Sequence, residues 1–320
     1  MYRSVVVSEK CMKNWLSTVL IVSMFVIKSQ GQSNGDIIAR RPVTFPLYTS
    51  VKDISWYYAQ NSYENAINDK SVAYERITYS SDGLKVIAFI AAPAQKAIRK
   101  LPVIIFNRGS FVRNDIAFVH APLFRKFVQE GFIVVAPALR QSEGGEGTDQ
   151  LGGEDINDIL NIWPLLEKFS MVDVNNVFLL GESRGGMMTY LALKNKVEVR
   201  AAATIGAITD LEAYISDRPW DEQNLKNLWD DYDRKKKQIL DHRSVMAWYD
   251  SIRVPVLILH GGQDPQVKPQ HALQLATAFS AKGHPYELHI FSEGNHILSG
   301  AETEARDAMV IAWFRKFLQR

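Results

Sequence analysis

The stretch "LLGESRGG", residues 179–186, contains the pattern G-x-S-x-G around Ser183. Where this pattern follows an apolar strand and opens a helix, the sharp turn leaves the serine hydroxyl exposed at its crest. A glycine-rich turn that contains a serine by chance is the alternative. In a chain of this length and glycine content it would occur on the order of once in ten sequences. The surrounding sequence must therefore distinguish a nucleophile from an ordinary turn.

The surrounding sequence alternates apolar strands with helical stretches. Strands are predicted in "LPVIIF", "FIVVAPAL", "NNVFLLG", "AAATIGA", "VPVLILHG" and "YELHIFSEG". Helices are predicted in "IAFVHAPLFRKFVQEG", "DINDILNIWPLLEKF" with a kink at Pro164, "GGMMTYLALKN", "QHALQLATAFSAKG" and "AETEARDAMVIAWFRKFLQ". Strands that are apolar on both faces indicate a mostly parallel sheet with helices on both faces. Together with the serine turn, this pattern predicts the α/β-hydrolase fold.

Three other segments complete the predicted organisation. "AYERITYSS" and "LKVIAFIAAP" flank Asp82-Gly83 and predict an N-terminal β-hairpin. Residues 208–250 are charged and aromatic and predict a small helical cap insertion, in which the basic run Arg234 to Lys237 is a solvated helix face. We assign residues 32–72 to an N-terminal extension with a possible short helix, and residues 73–320 to the catalytic domain.

Residues 1–31 have the pattern of a secretory signal peptide. Lys13 precedes the apolar stretch "WLSTVLIVSMFVI", and small polar residues follow it. The apolar core has 13 residues, whereas a membrane-spanning helix needs about 20. We expect cleavage near Gln32 and export to the periplasm or the exterior, with an uncleaved membrane anchor as the alternative. Met12 is an alternative start to Met1, which would place the signal at about 12–31.

Charge and cysteine content exclude several classes of function. The chain has a net charge of +2, and four cations against one glutamate give residues 1–31 a charge of +3, so the remainder carries +2 − 3 = −1. A nearly neutral mature chain gives no reason to expect nucleic-acid binding. Cys11 is the only cysteine and precedes the apolar core, which excludes a disulfide, a thiolate metal site and lipid attachment after that core. We predict no cofactor, no metal and no stable membrane insertion after cleavage; the sequence is silent on oligomeric state.

A serine nucleophile needs a histidine to take its proton and a carboxylate to orient that histidine. Asp264 in "LILHGGQDPQVKP" and His296 in "FSEGNHIL" follow Ser183 in the chain order of α/β-hydrolases, each in a loop after a strand. We predict these three residues to be catalytic. His260 is interpreted as a structural hydrogen-bonding residue, and Glu293 could replace Asp264 only with an unusual loop geometry.

A tetrahedral intermediate also needs two N–H donors, which together form an oxyanion hole. One donor is predicted to be the backbone amide of Arg184, the residue after the nucleophile. The second is predicted in the loop "NRGSF", at the amide of Gly109 or Ser110. In the alternative interpretation, Gly109 only permits the turn.

These motifs together resemble the catalytic domain of the prolyl oligopeptidase family of serine hydrolases. The resemblance covers about residues 73–320 and rests on "SSDGLKVIAFIAAP", "PVIIFNRGS", "LRQSEGGEGTD", "GESRGG", "VPVLILHGGQDPQVKPQHA" and "SEGNHIL". It implies that the matching Ser183, Asp264 and His296 are catalytic. The loop with Asn107 and Arg108 is often His-Gly-Gly in that family, so the chain departs there, and these two side chains are candidates for substrate contact. Arg140 to Gly147 matches an arginine- and glycine-containing loop near the family's site.

The resemblance implies a short peptide as substrate, without deciding which acyl bond is cut. Many family members carry a β-propeller, for which the residues before the hairpin are too few. A carboxylesterase of the same fold and a non-catalytic binding protein are alternatives, and no residue demonstrates a preference for proline. Asp217, Asp221 and Glu222 are candidates for holding a free amino terminus.

Overall fold

The computed structural model describes residues 32–95, 97–111 and 114–319, and the predicted signal peptide lies outside them. Within these residues the chain forms a nine-stranded sheet in the order β1-β2-β3-β5-β4-β6-β7-β8-β9. The predicted α/β-hydrolase fold is confirmed. The strands are β1 (Ile37–Pro42), β2 (Val72–Ser81), β3 (Leu84–Pro93), β4 (Leu101–Asn107), β5 (Ile133–Pro137), β6 (Val172–Glu182), β7 (Ala201–Ile205), β8 (Val256–Gly261) and β9 (Tyr286–Phe291).

Helices follow most of the parallel strands. They are α1 (Gln60–Asn68), α2 (Ile116–Val119), α3 (Ala121–Gln129), α4 (Ile156–Leu160), α5 (Ile162–Leu166), α6 (Arg184–Lys194), α7 (Leu211–Asp217), α8 (Pro219–Lys226), α9 (Tyr232–Arg243), α10 (Gln270–Ala281) and α11 (Thr303–Lys316). The break between α4 and α5 falls at Asn161, close to the kink predicted at Pro164. Proline has no N–H to donate to the carbonyl four residues earlier, and its ring crowds that carbonyl.

The sheet is antiparallel at one end and parallel elsewhere. β1, β2, β3 and β5 pair antiparallel, and the pairs from β5 through β4 to β9 are parallel. In the hairpin, Ser81 pairs with Leu84 across Asp82 and Gly83, which have φ of +53° and +78°. Two successive positive φ values are those of a type I′ turn, whose twist matches that of paired strands. The predicted hairpin is therefore confirmed.

Each central strand supplies apolar side chains to two cores, one on each face of the sheet. On β4, Val103 and Ile105 enter one core and Ile104 and Phe106 enter the other. Successive side chains of a strand point to opposite faces, so a strand buried on both faces must be apolar throughout. The parallel strands are thereby held as a rigid support for the loops at their carboxyl ends.

The N-terminal extension joins this sheet through β1, a strand that the sequence analysis did not predict. β1 lies at the sheet edge, most of its residues are exposed, and it ends at Pro42. Charged residues and proline are typical of edge strands and hide the alternating apolar pattern. The short helix that was considered possible is α1, and the Tyr63 hydroxyl donates to the carbonyl of Pro46 at 2.8 Å. The N-terminal extension is thus part of the same sheet as the rest of the chain, through the pairing of β1 with β2.

Residues 208–250 contain α7, α8 and α9, between β7 and β8. Trp229 Nε1 donates to the carbonyl of Gln150 at 2.7 Å, and Arg243 Nε donates to the carbonyl of Leu151 at 2.6 Å. The basic run lies on α9, where Lys237 pairs with Asp241 at 2.6 Å on the exposed surface. Among the described residues, no helix has the length and apolar character needed to cross a bilayer.

Candidate active site

Ser183 lies in the turn between β6 and α6. Its φ of 55° and ψ of −121° are unfavourable for a residue with a Cβ. The turn is held by Ser183 N–H, which donates to the carbonyl of Ile205 at 2.8 Å, and by Ser183 O, which accepts from Gly186 N at 2.9 Å. A Cβ on Gly185 would lie 1.8 Å from the carbonyl oxygen of Asn107, so only glycine fits there. The G-x-S-x-G pattern therefore forms the strained strand-to-helix turn that the sequence predicts.

Asp264 and His296 meet behind this turn. They lie in the loops after β8 and β9, and His296 Nδ1 is 2.7 Å from Asp264 Oδ2. Asp264 Oδ1 accepts from the backbone N–H groups of Gln266 at 2.8 Å and Val267 at 2.9 Å. A carboxylate acceptor requires Nδ1 of His296 to carry the proton, which leaves Nε2 able to accept one. The carboxylate is fixed, and the imidazole has the tautomer that a general base needs.

Asp264 stays ionised despite its burial. Burial alone would raise the pKa of Asp264, but hydrogen bonds from His260 and His296 outweigh it and lower the pKa. His260 Nε2 lies 2.8 Å from the carbonyl oxygen of Val267 and 3.3 Å from Asp264 Oδ2. This agrees with the interpretation of His260 as a structural hydrogen-bonding residue. Glu293 is exposed, and Asp264 is the carboxylate that contacts His296.

Gly206, directly after β7, is a site residue that the sequence analysis missed. A Cβ there would lie 2.3 Å from the carbonyl oxygen of His296 and 3.3 Å from Asp264 Oδ2, and its φ is +56°. Any side chain would displace the aspartate–histidine pair. The sequence did contain a signal for this residue. Gly206 comes at the end of a predicted strand, and a glycine in or beside a strand often marks a place where another backbone approaches closely.

A cavity of about 690 Å³ contains both Ser183 and His296 in its wall. Three further parts of the chain contribute to that wall: the N-terminal extension, the loop after β4 and the cap. Their lining residues include Asp53, Trp56, Tyr57, Gly109, Ser110, Phe111, Tyr214, Arg218 and Asp221. Gly109, Ser110 and Arg184, the residues of the candidate oxyanion amides, therefore line the same cavity as the serine.

Asn107 and Arg108, in contrast, are buried beneath the cavity wall. Asn107 Nδ2 donates to Thr189 Oγ1 at 2.8 Å, and Arg108 Nε donates to the carbonyl of Ala138 at 3.1 Å. Neither residue is in the cavity wall, so the structure gives no support to the prediction that these two side chains contact substrate. The sequence places both residues in the loop next to the site, but it does not determine the direction in which their side chains point.

Of the three acidic candidates in the cap, only Asp221 lines the cavity. It accepts from Arg218 Nε at 2.7 Å, so its charge is neutralised. Asp217 pairs with Lys268, and Glu222 accepts from Tyr232. Asp53, on the N-terminal extension, is exposed in the cavity wall and has no ion pair among the described residues.

Another buried histidine, His271 on α10, should make stability depend on pH. Its Nδ1 accepts from the backbone N–H groups of Thr209 at 3.3 Å and Asp210 at 3.4 Å, and burial, with a smaller contribution from His260, lowers its pKa to about 4. Between pH 7 and 5 the unfolded chain takes up a proton that the folded chain does not. We therefore expect about 2 kcal/mol of unfolding free energy to be lost from this group.

Urea unfolding at pH 7 and pH 5 tests this expectation. His271→Asn keeps an acceptor near the position of Nδ1 but cannot be protonated, so its stability should fall by about 2 kcal/mol less over the same interval. Equal losses in both proteins would contradict a neutral buried His271.

Within residues 32–95, 97–111 and 114–319, no three His, Cys, Asp or Glu side chains are grouped so that they could hold a metal ion.

Comparison with known proteins assigns the chain to a family. A sequence profile of the prolyl oligopeptidase family matches residues 122–320. The chain belongs to the prolyl oligopeptidase family. The motifs around Ser183 predicted a serine hydrolase, and membership of this family indicates a serine peptidase; the matched part is the catalytic domain of the family.

Individual relatives are distant. An uncharacterized peptidase of Bacillus subtilis (strain 168), YtmA, is 25% identical over 240 residues, which is 75% of this chain and 92% of that protein. Dipeptidyl aminopeptidase BIII of Pseudoxanthomonas mexicana is 23% identical over 236 residues, 68% of this chain and 34% of the relative. The relatives of this chain thus include a protein of about this length and a much longer one.

Solved structures show the same fold. The acylaminoacyl peptidase of Pyrococcus horikoshii superposes with a TM-score of 0.65 at 19% identity, over 80% of this chain and 44% of that one. A puromycin-hydrolyzing peptidase of Mycobacterium tuberculosis superposes with a TM-score of 0.64 at 22% identity, over 74% and 38%. The chain therefore corresponds to less than half of either neighbour.

Proposed function

We propose that the chain is an exported serine peptidase that cleaves short peptides through an acyl-enzyme on Ser183. The observation that carries this proposal is the contact of 2.7 Å between His296 Nδ1 and Asp264 Oδ2, with His296 and the strained Ser183 in the wall of one cavity. The sequence pattern of residues 12–31 supports export. Sequencing the amino terminus of the protein recovered outside the cytoplasm tests that part, with a start near Gln32 expected.

In the proposed reaction, His296 Nε2 takes the proton of the Ser183 hydroxyl as the oxygen attacks the substrate carbonyl. Backbone amides of Arg184 and of the Gly109–Ser110 loop stabilise the oxyanion. His296 then returns the proton to the leaving amine, and the acyl group stays on Ser183. Water, activated by the same histidine, releases the acyl group as a carboxylic acid. Ionised Asp264 holds His296 in orientation and stabilises its positive charge in both steps.

Peptides are proposed over other acyl compounds because of the family and the activities for which similar proteins are named. Relatives include a dipeptidyl aminopeptidase, and structural neighbours include an acylaminoacyl peptidase and a puromycin-hydrolyzing peptidase. All of these release a product by cutting an amide bond. A carboxylesterase of the same fold would use the same three residues, so the substrate has to be measured.

The test combines labelling with paired substrates. The chain from Gln32 onward is treated with a fluorophosphonate, which reacts with activated serine nucleophiles, and one label per chain is expected. A separate, unlabelled sample is given dipeptidyl amides and esters with the same acyl part. Turnover of both supports the peptidase; turnover of the ester alone would replace the proposal by a carboxylesterase. A folded chain that takes no label and turns over neither would contradict it.

Asp53 is the residue that would bind the amino terminus of such a peptide. It is an exposed carboxylate in the cavity wall and has no ion pair among the described residues, whereas Asp221 is paired with Arg218. We expect Asp53→Asn to raise KM for a dipeptidyl amide with a free amino group by about three- to tenfold, since a partly solvated ion pair contributes on the order of 1 kcal/mol. KM for the N-acetylated form should not change.

Asp217→Asn provides the matched control, because Asp217 pairs with Lys268 and is not part of the cavity wall. Its KM should equal that of the unaltered protein for both substrates. A similar rise in KM for the acetylated substrate in Asp53→Asn would argue against recognition of the ammonium group.

A further inference from the structure

Two buried arginines lie beside the loop formed by residues 109–111, here called the oxyanion loop. Arg108 is 1% exposed and Arg184 is 3% exposed. Burying a guanidinium is costly unless its charge is paired and its N–H groups find acceptors. The proposed reaction uses the backbone amide of Arg184, but neither of the two guanidinium groups. The hydrogen-bond and ion-pair partners of the two guanidinium groups therefore indicate their role.

Arg108 binds the oxyanion loop through its carbonyl oxygens. Arg108 Nη1 donates to the carbonyl of Gly109 at 3.0 Å, to that of Ser110 at 2.8 Å, and also to that of Phe111. Arg108 Nη2 donates to Ser142 Oγ at 2.7 Å. Three successive carbonyl groups are thus turned towards one buried guanidinium.

This arrangement sets the direction of the loop's amides. In a trans peptide unit the N–H points opposite to the C=O, and none of the described peptide bonds is cis. Because the Gly109 carbonyl faces Arg108, the N–H of Ser110 faces away from it, on the side where both residues line the cavity. A Cβ on Gly109 would lie 3.2 Å from Ser183 Cβ, so the loop is in contact with the nucleophile. The bond from Arg108 to the Gly109 carbonyl thus fixes the direction of the Ser110 N–H, one of the two candidate oxyanion donors.

Arg184 binds the same loop from the nucleophile's side. Arg184 Nη1 donates to the carbonyl of Ser110 at 3.1 Å. Its guanidinium pairs with both oxygens of Asp149, at 2.6 Å each, and Asp149 Oδ2 lies 3.8 Å from Arg108 Nη2. Burial would raise the pKa of Asp149, but the charge and hydrogen bonds of Arg184 lower it. An ionised carboxylate therefore joins the two arginines.

We propose that Arg108, Asp149 and Arg184, the arginine–aspartate cluster, are positioning residues that hold the amide of Ser110 against the developing oxyanion. This inference rests on the proposed function. An oxyanion donor acts only within about 2.7 to 3.1 Å of the oxyanion, and losing one lowers kcat by about 10²- to 10³-fold. The positive φ of Ser110, +63°, is a conformation that surrounding contacts must maintain. The cluster supplies those contacts.

Asp149→Asn tests the cluster, because it removes the charge and preserves the shape of the side chain. We expect kcat to fall by about ten- to a hundredfold with KM changed less than twofold, since the oxyanion contact exists only in the transition state. The concentration of competent sites is measured by complete fluorophosphonate labelling. The pattern of lower kcat at constant KM separates positioning of the amide from loss of folded protein.

Asp158→Asn is the matched control. Asp158 is equally buried and pairs with an arginine, Arg140, at 2.8 Å, but that pair contacts the hairpin turn and not the oxyanion loop. We expect a lower unfolding temperature and an unchanged kcat per labelled site. An Asp149→Asn variant whose kcat falls no further than that of Asp158→Asn, or whose defect is confined to KM, overturns the proposal.

If Asp149→Asn does not fold, Ser142→Ala tests the positioning role of the arginine–aspartate cluster instead. It removes one acceptor of Arg108 without changing the charge of the core, and a loss of kcat of about threefold at constant KM is expected. An unchanged kcat would overturn the proposal. If the unaltered protein takes no label, the proposed function itself is contradicted. If it labels normally and both variants keep their kcat, only the positioning role of the arginine–aspartate cluster is contradicted.

Discussion

Ser183→Ala is expected to abolish labelling by a fluorophosphonate and to lower kcat for the best dipeptidyl amide by at least about 10⁴-fold. The hydroxyl is the atom that forms the acyl bond, and no other group in the proposed reaction can replace it. The fold should persist, because alanine has the same Cβ in the turn at φ 55° and the turn is held by backbone hydrogen bonds. Labelling, turnover and thermal unfolding of both proteins are the measurements.

Ser55→Ala provides the comparison for labelling. Ser55 also lies in the cavity wall, so its variant removes a hydroxyl from the same environment without touching the turn. It should take one label per chain, as the unaltered protein does. Labelling that survives in Ser183→Ala and disappears in Ser55→Ala would place the nucleophile elsewhere. A protein that only binds its ligand would keep its affinity in Ser183→Ala and show no turnover to lose.

Asp264→Asn is expected to lower kcat by about 10⁴-fold with little change in KM. Asparagine can still accept from the N–H groups of Gln266 and Val267, so its amide NH₂ faces His296 Nδ1. That nitrogen must then accept a hydrogen bond, which leaves the proton on Nε2. A histidine with a protonated Nε2 cannot take the proton of Ser183. Steady-state kinetics with the dipeptidyl amide, and an unfolding curve to confirm the fold, check this expectation.

Glu293→Gln is the control for Asp264, because Glu293 is a carboxylate in the loop of His296 but is exposed. Its kcat should stay within twofold of the unaltered protein. A large loss in Glu293→Gln together with a small one in Asp264→Asn would reverse the assignment of the orienting carboxylate. Since the pKa of Asp264 is lowered by its hydrogen bonds, the carboxylate should remain charged across the neutral pH range and contribute no step to the pH–rate profile there.

The sequence by itself determined the parts of this protein that depend on local pattern. Continuous apolar runs predicted strands buried on both faces, and Asp82-Gly83 predicted the hairpin because two positive φ values favour those residues. The serine turn could be found because its glycines are required by the close approach of backbone. Asp264 and His296 could be found because chain order and strand ends bring their loops to one edge of the sheet.

Only the tertiary structure decided which side chains contact each other when the residues lie far apart in the sequence. β1 was missed because an exposed edge strand lacks apolar alternation. The place of Asp53 in the cavity wall was missed as well. Asn107 and Arg108 were assigned to substrate because sequence gives the position of a residue but not the direction of its side chain. The pairing of Arg184 with Asp149, 35 residues away, depends on which loops the folded sheet brings together, and burial then makes that pairing obligatory.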